Sequence, residues 1–167
     1  MKAWKVWTVS GAVVMVGAIT ALTAALWRNV SSEWMVEQNA AQFALDHSPI
    51  DHIKSHSIFT ASEAQEVFFG TDVFQRSWYA FVYGSPFTVQ AVPVTGIIPE
   101  AEVVAKARSQ NIQPINVSIG YLNAAAQQAC HTSSTVVWEV YGKLTSGKTV
   151  YLYLDAYSGA RAFYVAL

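Results

Sequence analysis

One cysteine, Cys130, is all the chain contains, and a lone cysteine excludes any intrachain disulfide. Charge is equally sparse, at 13% of 167 residues. Ten basic residues stand against eleven acidic ones, and nowhere do Lys and Arg gather into a stripe. The electrostatic footprint of a nucleic-acid-binding protein is therefore missing. Gly-x-Ser-x-Gly, phosphate-loop and zincin motifs do not occur either, which removes the commonest sequence signatures of hydrolases and nucleotide enzymes. The scarcity of charge is most complete near the N-terminus, where no charged residue lies between Lys5 and Arg28.

That interval, VWTVSGAVVMVGAITALTAALW at residues 6–27, is long enough for a bilayer, which a helix of about 20 apolar residues crosses. Trp4, Trp7 and Trp27 stand near its two ends, at the depth of the interfacial aromatic belt. Lys2 and Lys5 precede it, and basic residues orient such a span with that side cytoplasmic. A cleaved signal peptide is the alternative, but the apolar stretch exceeds the h-region usual for one. The expected organisation is a cytoplasmic tail at 1–5, a single-pass transmembrane anchor at 6–27, and an extracytoplasmic remainder from residue 28. Gly17, Ala21 and Ala25 make a small-residue stripe on the anchor that permits close helix–helix contact.

Beyond the anchor, the pattern changes to alternation. Val36, Ala40, Phe43 and Ala44 have the spacing of a half-buried helix, closed by Ser48-Pro49. Strands are expected at about 52–59, 65–69, 77–83 and 87–94. After Thr95-Gly96 comes a second helix, led by Pro99 with Glu100 and Glu102 early and Lys106 and Arg108 late, charges that suit the helix dipole. Its expected buried stripe is Ala101, Val104 and Ala105. A strand follows at 115–122, and then, after a polar connection at 123–134 expected to be a mobile loop, with a helical turn in its Ala/Gln part as the alternative, the meander VVWEVYGKLTSGKTVYLYLDAYSGARAFYVAL. Its Gly-bearing turns at Thr145–Lys148 and Tyr157–Ala160 are short enough only to reverse the chain between neighbouring strands. The fold class is α+β, with an α-β-β-β order occurring twice as an internal repeat, at 28–96 and 97–167.

Trp138-Glu139-Val140-Tyr141, a Gly-Lys turn, Tyr151-Leu152-Tyr153-Leu154-Asp155 and Ser158-Gly159 resemble the signature of PepSY-type, cystatin-like repeats. The IPEAEVVAKAR helix is similar to the helix of that repeat. With an N-terminal anchor and two such repeats, the chain resembles the TseB-like regulators of cell-wall elongation in Gram-positive bacteria. The second repeat is the specific part, while the first matches mainly in its order of elements and in VFFGTDVF…WYAFVYG. The 123–134 connection is longer, and charge sparser, than the family's pattern. The resemblance implies a membrane-tethered, non-catalytic protein that associates with an elongation-specific penicillin-binding protein.

Residues with chemical potential are few. His47, His52 and His56 lie close in sequence beside Asp46 and Asp51, but His52 and His56 in an extended strand fall on one face about 13 Å apart, too far to share an ion. Cys130 and His131 are adjacent, and adjacent strand residues point to opposite faces. Glu139 and Asp155 form a conceivable acid–base pair. Asp155, however, stands just before a turn, where its carboxylate with Ser158 and Gly159 is expected to be structural. No catalytic residue, metal or cofactor is assigned, and no nucleic-acid partner is expected. Along the meander, Val150, Leu152 and Leu154 share one face, expected to pack on the second helix. Tyr151 and Tyr153 share the other, an exposed aromatic face suited to a partner. A PepSY-type inhibitor or chaperone of an exported peptidase, and a cystatin-like small-ligand binder, are the alternative functions.

Overall fold

The structure, a computed structural model, describes residues 36–61 and 63–167 together with Met15 and Thr23. The expected span at 6–27, with Gly17, Ala21 and Ala25, therefore lies outside the described residues apart from those two. Among the described residues, no helix is long and apolar enough to cross a membrane. Ala40–Leu167 is one compact unit.

The first described helix, α1, covers residues 36–47. Ala40 and Ala44, one turn apart, are fully buried, with Phe43 and Leu45 half-buried beside them. Val36, expected on the same stripe, is exposed. Small side chains at the contact let the helix axis approach the sheet it covers. Ser48 closes the helix through a backbone bond to Ala44, and its hydroxyl accepts from the Ile50 N–H.

Four strands then form an antiparallel sheet in sequence order: β1 His52–Phe59, β2 Gln65–Thr71, β3 Ser77–Tyr83 and β4 Thr88–Pro93. A second four-stranded sheet follows α2 (Glu100–Ser109): β5 Ile112–Tyr121, β6 Val136–Leu144, β7 Thr149–Asp155 and β8 Arg161–Ala166. The architecture is thus α+β with two antiparallel sheets and associated helices, consistent with a cystatin-like arrangement. Each sheet has four strands, as the individually expected strands at 52–59 through 87–94 and at 115–122 through the meander indicate, one more per half than the α-β-β-β order counts. The extra member is the leading strand, whose polar sequence (HIKSHSIF, IQPINVSIGY) lacks a clean alternation.

The two halves repeat in detail. The same sequence offset separates Gly70 from Gly142 and β3 from β7. Each glycine lies beneath its sheet's leading strand: a Cβ at Gly70 would fall 2.5 Å from the His52 carbonyl oxygen and 2.6 Å from Ile50, and one at Gly142 2.5 Å from the Gln113 carbonyl oxygen and 2.8 Å from Ile112. Both leading strands also carry a bulge, between Ile53 and Ser55 and between Pro114 and Asn116. The bulge in β1 corrects the histidine reading. It inserts one residue, which reverses the alternation beyond it, so His52 stands opposite Thr71 and His56 opposite Phe68, on opposite faces of the sheet.

Two further expectations are corrected. On α2 the buried residues are Val103 and Ala107, while Ala101 and Ala105 are exposed and Val104 half-buried. A ten-residue helix with six small or apolar residues admits more than one candidate stripe, and tertiary contact selects the one facing Val140 and Leu152. The connection expected as a mobile loop carries, in its Ala/Gln part where a helical turn was the alternative, a short helix, α3 (Ala124–Ala129), whose start is capped by the Asn123 side chain accepting from the Ala126 N–H at 2.9 Å. Asn is among the best residues for that position.

The two sheets share a core. One face of the first sheet, through Phe68, Ala80 and Val82, packs on α1. Phe59, Val67 and Phe81 on its other face belong to the cluster built by Val140, Leu152, Leu154, Val103 and Ala107 of the second half. At this seam the edge strand β5 meets the side chain of Gln65, which is 1% exposed. Its Nε2 donates to the Tyr121 carbonyl at 2.6 Å, and its Oε1 accepts from the Tyr121 N–H at 3.0 Å. The amide thus acts as a one-residue neighbouring strand. Phe59 lies flat over Gly120, where a Cβ would come 2.2 Å from the ring.

Replacing Gln65 by Leu keeps its volume but strands the buried Tyr121 N–H and carbonyl. An unsatisfied buried group costs about 1–3 kcal/mol, so urea unfolding should show a loss of roughly 2–4 kcal/mol. Gly120→Ala forces a methyl into the Phe59 ring, and overpacking of this kind costs about 1–3 kcal/mol. The same titration should report it, and a Tm unchanged from the parent would refute the close approach.

Candidate functional site

The meander's two faces have separate fates because side chains alternate along β6 and β7. Val150, Leu152 and Leu154 are buried in the shared core. The opposite face carries Glu139 opposite Tyr153 and Tyr141 opposite Tyr151, as cross-strand partners. This tyrosine face is half-buried rather than open to solvent. Tyr141 and Tyr151 have ring centroids 5.0 Å apart, and Tyr153 leans on Phe163 of β8 at 5.8 Å.

Glu139 is only 9% exposed. The Tyr153 hydroxyl donates to its Oε2 at 2.6 Å. Burial pushes the Glu139 carboxyl above its ordinary value, a rise that the tyrosine hydrogen bond only partly offsets. Tyr153 is pushed well up, first by burial and then by donating to a group that bears negative charge. Thr60 and Ala61, from the β1–β2 connection, come across the face, so that Glu139, Tyr151, Tyr153 and Val165 line a hollow of about 330 Å³. A carboxyl at the floor of an aromatic-walled hollow can accept hydrogen bonds or bind a cation.

Asp155 closes the neighbouring turn. Its Oδ1 accepts from the backbone N–H of Tyr157 at 3.2 Å and of Ser158 at 2.7 Å, and from the Ser158 hydroxyl at 2.7 Å. Burial alone would raise this carboxyl, but the bonds from Ser158, Ser134 and Tyr157 hold it below the usual value. Gly159 completes the turn at φ 66°, and a Cβ there would meet the Lys106 side chain at 2.5 Å. Asp155 and Glu139 are thus occupied by different partners, a turn backbone and a tyrosine hydroxyl.

The other chemically suggestive residues are dispersed. The His47 ring stacks on Phe43 at 4.2 Å, and its Nδ1 lies 3.1 Å from the Phe43 carbonyl oxygen. His56 pairs with Glu66 across β1 and β2 and leans on Phe68. Cys130 ends α3, half-buried, and His131 follows with φ 51°. Among the described residues, no three of His, Cys, Asp and Glu converge as a metal site.

Two residues of consequence escaped the sequence reading. Glu139 appeared there only as half of an acid–base pair. Its place beneath Tyr153 follows from the β6–β7 register, which the Thr145–Lys148 turn sets. Asp72, 4% exposed, organises the β2–β3 turn. Its Oδ1 accepts from the Phe74 and Arg76 N–H groups, and its Oδ2 from Arg76 Nε at 2.7 Å and Trp78 Nε1 at 3.2 Å. Burial opposes ionisation, and these four bonds outweigh it, so the carboxyl sits below its ordinary value. The turn holds Val73 and Phe74 outward at 67% and 75% exposure.

No family model matches the chain, and no curated protein matches it by sequence. Among solved structures, it is similar to the YpmB protein from Bacillus subtilis, with a TM-score of 0.65 and 16% identity over 78% of this chain and 96% of that one. At that identity the likeness is one of fold, and it extends over nearly the whole of that solved chain.

Glu139 links the hollow to stability. Because its folded carboxyl titrates above the ordinary value of 4.5, the folded state keeps a proton that the unfolded chain has already lost. Stability then falls as pH rises through that window, and levels off once the folded carboxyl has ionised too. Urea midpoints across pH 4–8 should therefore decline more steeply for the parent than for Glu139→Gln. Parallel profiles would show that the carboxyl is not perturbed.

Proposed function

We propose that this protein is a membrane-anchored, extracytoplasmic and non-catalytic regulator of cell-wall elongation, acting by docking to a penicillin-binding protein. The observation that carries the reading is the combination of fold and sequence in the second half. Trp138-Glu139-Val140-Tyr141, Tyr151–Asp155 and Ser158-Gly159, the residues that resemble the TseB-like regulators, lie on β6, β7 and the turn after it. They do so within a fold similar to nearly all of the solved YpmB chain.

The apolar 6–27 segment supports a single-pass anchor with a cytoplasmic N-terminus. Tethering confines the domain to a thin layer at the outer membrane face, which raises its effective concentration against any other membrane-bound protein. Modest contacts then suffice for occupancy. The half-buried Tyr151 and Tyr153 supply the contact chemistry, since tyrosines add large contact area at low entropic cost. The action is docking, and no bond is made or broken.

In vivo cross-linking of the full-length chain, followed by purification from membranes and identification of the adducts, tests this. A wall synthase should be enriched over a control lacking cross-linker, and Tyr151→Ala with Tyr153→Ala should reduce its recovery. Recovery of a peptidase with no wall synthase would replace this reading with the PepSY-type inhibitor.

A further inference from the structure

The Glu139 carboxylate is incompletely used by the fold. Its Oε2 takes the Tyr153 hydroxyl, but among the described residues no donor reaches Oε1 and no Lys, Arg or His pairs with the group. Among the described residues, no buried side-chain oxygen is left without a partner, so Oε1 keeps its contact with the hollow that Glu139 lines. A carboxyl this far from solvent costs free energy unless a cation or donor meets it.

The walls favour a cation. Tyr151 and Tyr153 line the same space, and aromatic faces attract ammonium and guanidinium groups. The hollow's volume of about 330 Å³ has room for one long side chain. Thr60 at the rim adds a hydroxyl, whereas Val165 offers an apolar wall to the methylene stem of such a residue, in the manner of amphipathic cations elsewhere.

We propose that this hollow receives a single basic side chain, a lysine ammonium or an arginine guanidinium, presented by the protein's binding partner. The inference rests on the docking reading above and adds to it the chemistry of the anchor residue. Charge complementarity decides against an acidic or purely apolar occupant: the first would meet the carboxylate as a like charge, and the second would seal it away unpaired. The raised carboxyl of Glu139 agrees with a site still lacking its counter-charge, and a bound cation would lower it again.

The test uses the full-length chain in detergent micelles with three capped tripeptides, acetyl-Gly-X-Gly-amide, where X is lysine, arginine or norleucine. Tyrosine fluorescence and the backbone amide resonances of Glu139, Tyr151 and Tyr153 report binding. The lysine and arginine peptides should give saturable shifts at these residues, and the norleucine peptide should not. Glu139→Gln should weaken the response by at least about tenfold, the usual consequence of removing a buried charge partner. Tyr151→Leu, which keeps the carboxylate, should weaken it less.

Equal shifts from the norleucine peptide would make the hollow an apolar groove, and the absence of saturable shifts with either basic peptide would leave it without this function. Both results overturn the proposal. Tighter binding of n-butylammonium than of the lysine peptide would assign the site to a free amine and overturn the partner assignment. A wall synthase cross-linked by the parent chain, together with silence towards basic peptides, removes this inference alone. Basic-peptide binding with no synthase recovered removes the regulatory reading and keeps the hollow.

Discussion

The pairing of the Gln65 amide with the backbone of Tyr121 is the constraint on which the rest of the fold depends. An edge strand presents a row of unpaired N–H and carbonyl groups, and leaving them buried without partners is prohibitively costly. β5 is the edge of the second sheet, and it is pressed against the inner face of the first. Only a donor and acceptor held at strand spacing can satisfy it there, and a primary amide carries both. With that satisfied, Phe59 can lie over Gly120, Tyr121 can meet Phe81 and Tyr83 at centroid distances of 6.2 and 5.9 Å, and the two cores merge. Gln65 is therefore a polar residue whose place in the interior makes an apolar interface possible.

The hollow at Glu139 is a by-product of the same arrangement. Docking the sheets brings the β1–β2 connection, with Thr60 and Ala61, over the tyrosine face of the meander. Neither half by itself would enclose that space, since the floor comes from β6 and β7 and the rim from residues before β2. The functional candidate is thus a property of how two similar units meet.

Much of this was legible in the sequence, for a physical reason. The aromatic strand Ser77–Tyr83 and the meander were readable because alternation and Gly-bearing turns are local signals, and the strands lie where they indicate. β1 lies at the bounds its sequence indicates, whereas β5 begins three residues before the expected start, ahead of the bulge between Pro114 and Asn116 that breaks the two-residue period. The stripe on α2 was misread for lack of contrast: Ala101, Val103, Val104, Ala105 and Ala107 are all small or apolar, and only the neighbouring sheet selects among them. The Asn123 cap of α3 was missed because six residues show too little period to recognise. Gln65 and Glu139 could not be found from pattern alone. A buried glutamine looks like a surface glutamine until the strand 56 positions away is placed beside it.

Both sheets run in strict sequence order, so nearly every ladder closes over a short turn. Closing a loop costs little entropy when the loop is short, and more as it lengthens. Most of the chain can therefore organise through near neighbours, which favours rapid formation of each half. The long-range cost is concentrated at one line, where Gln65 and Phe59 reach Tyr121 and Gly120. The two hairpin arrays are the quick, local part of this molecule, and their junction is the part that requires strands 56 positions apart in the chain to search for each other.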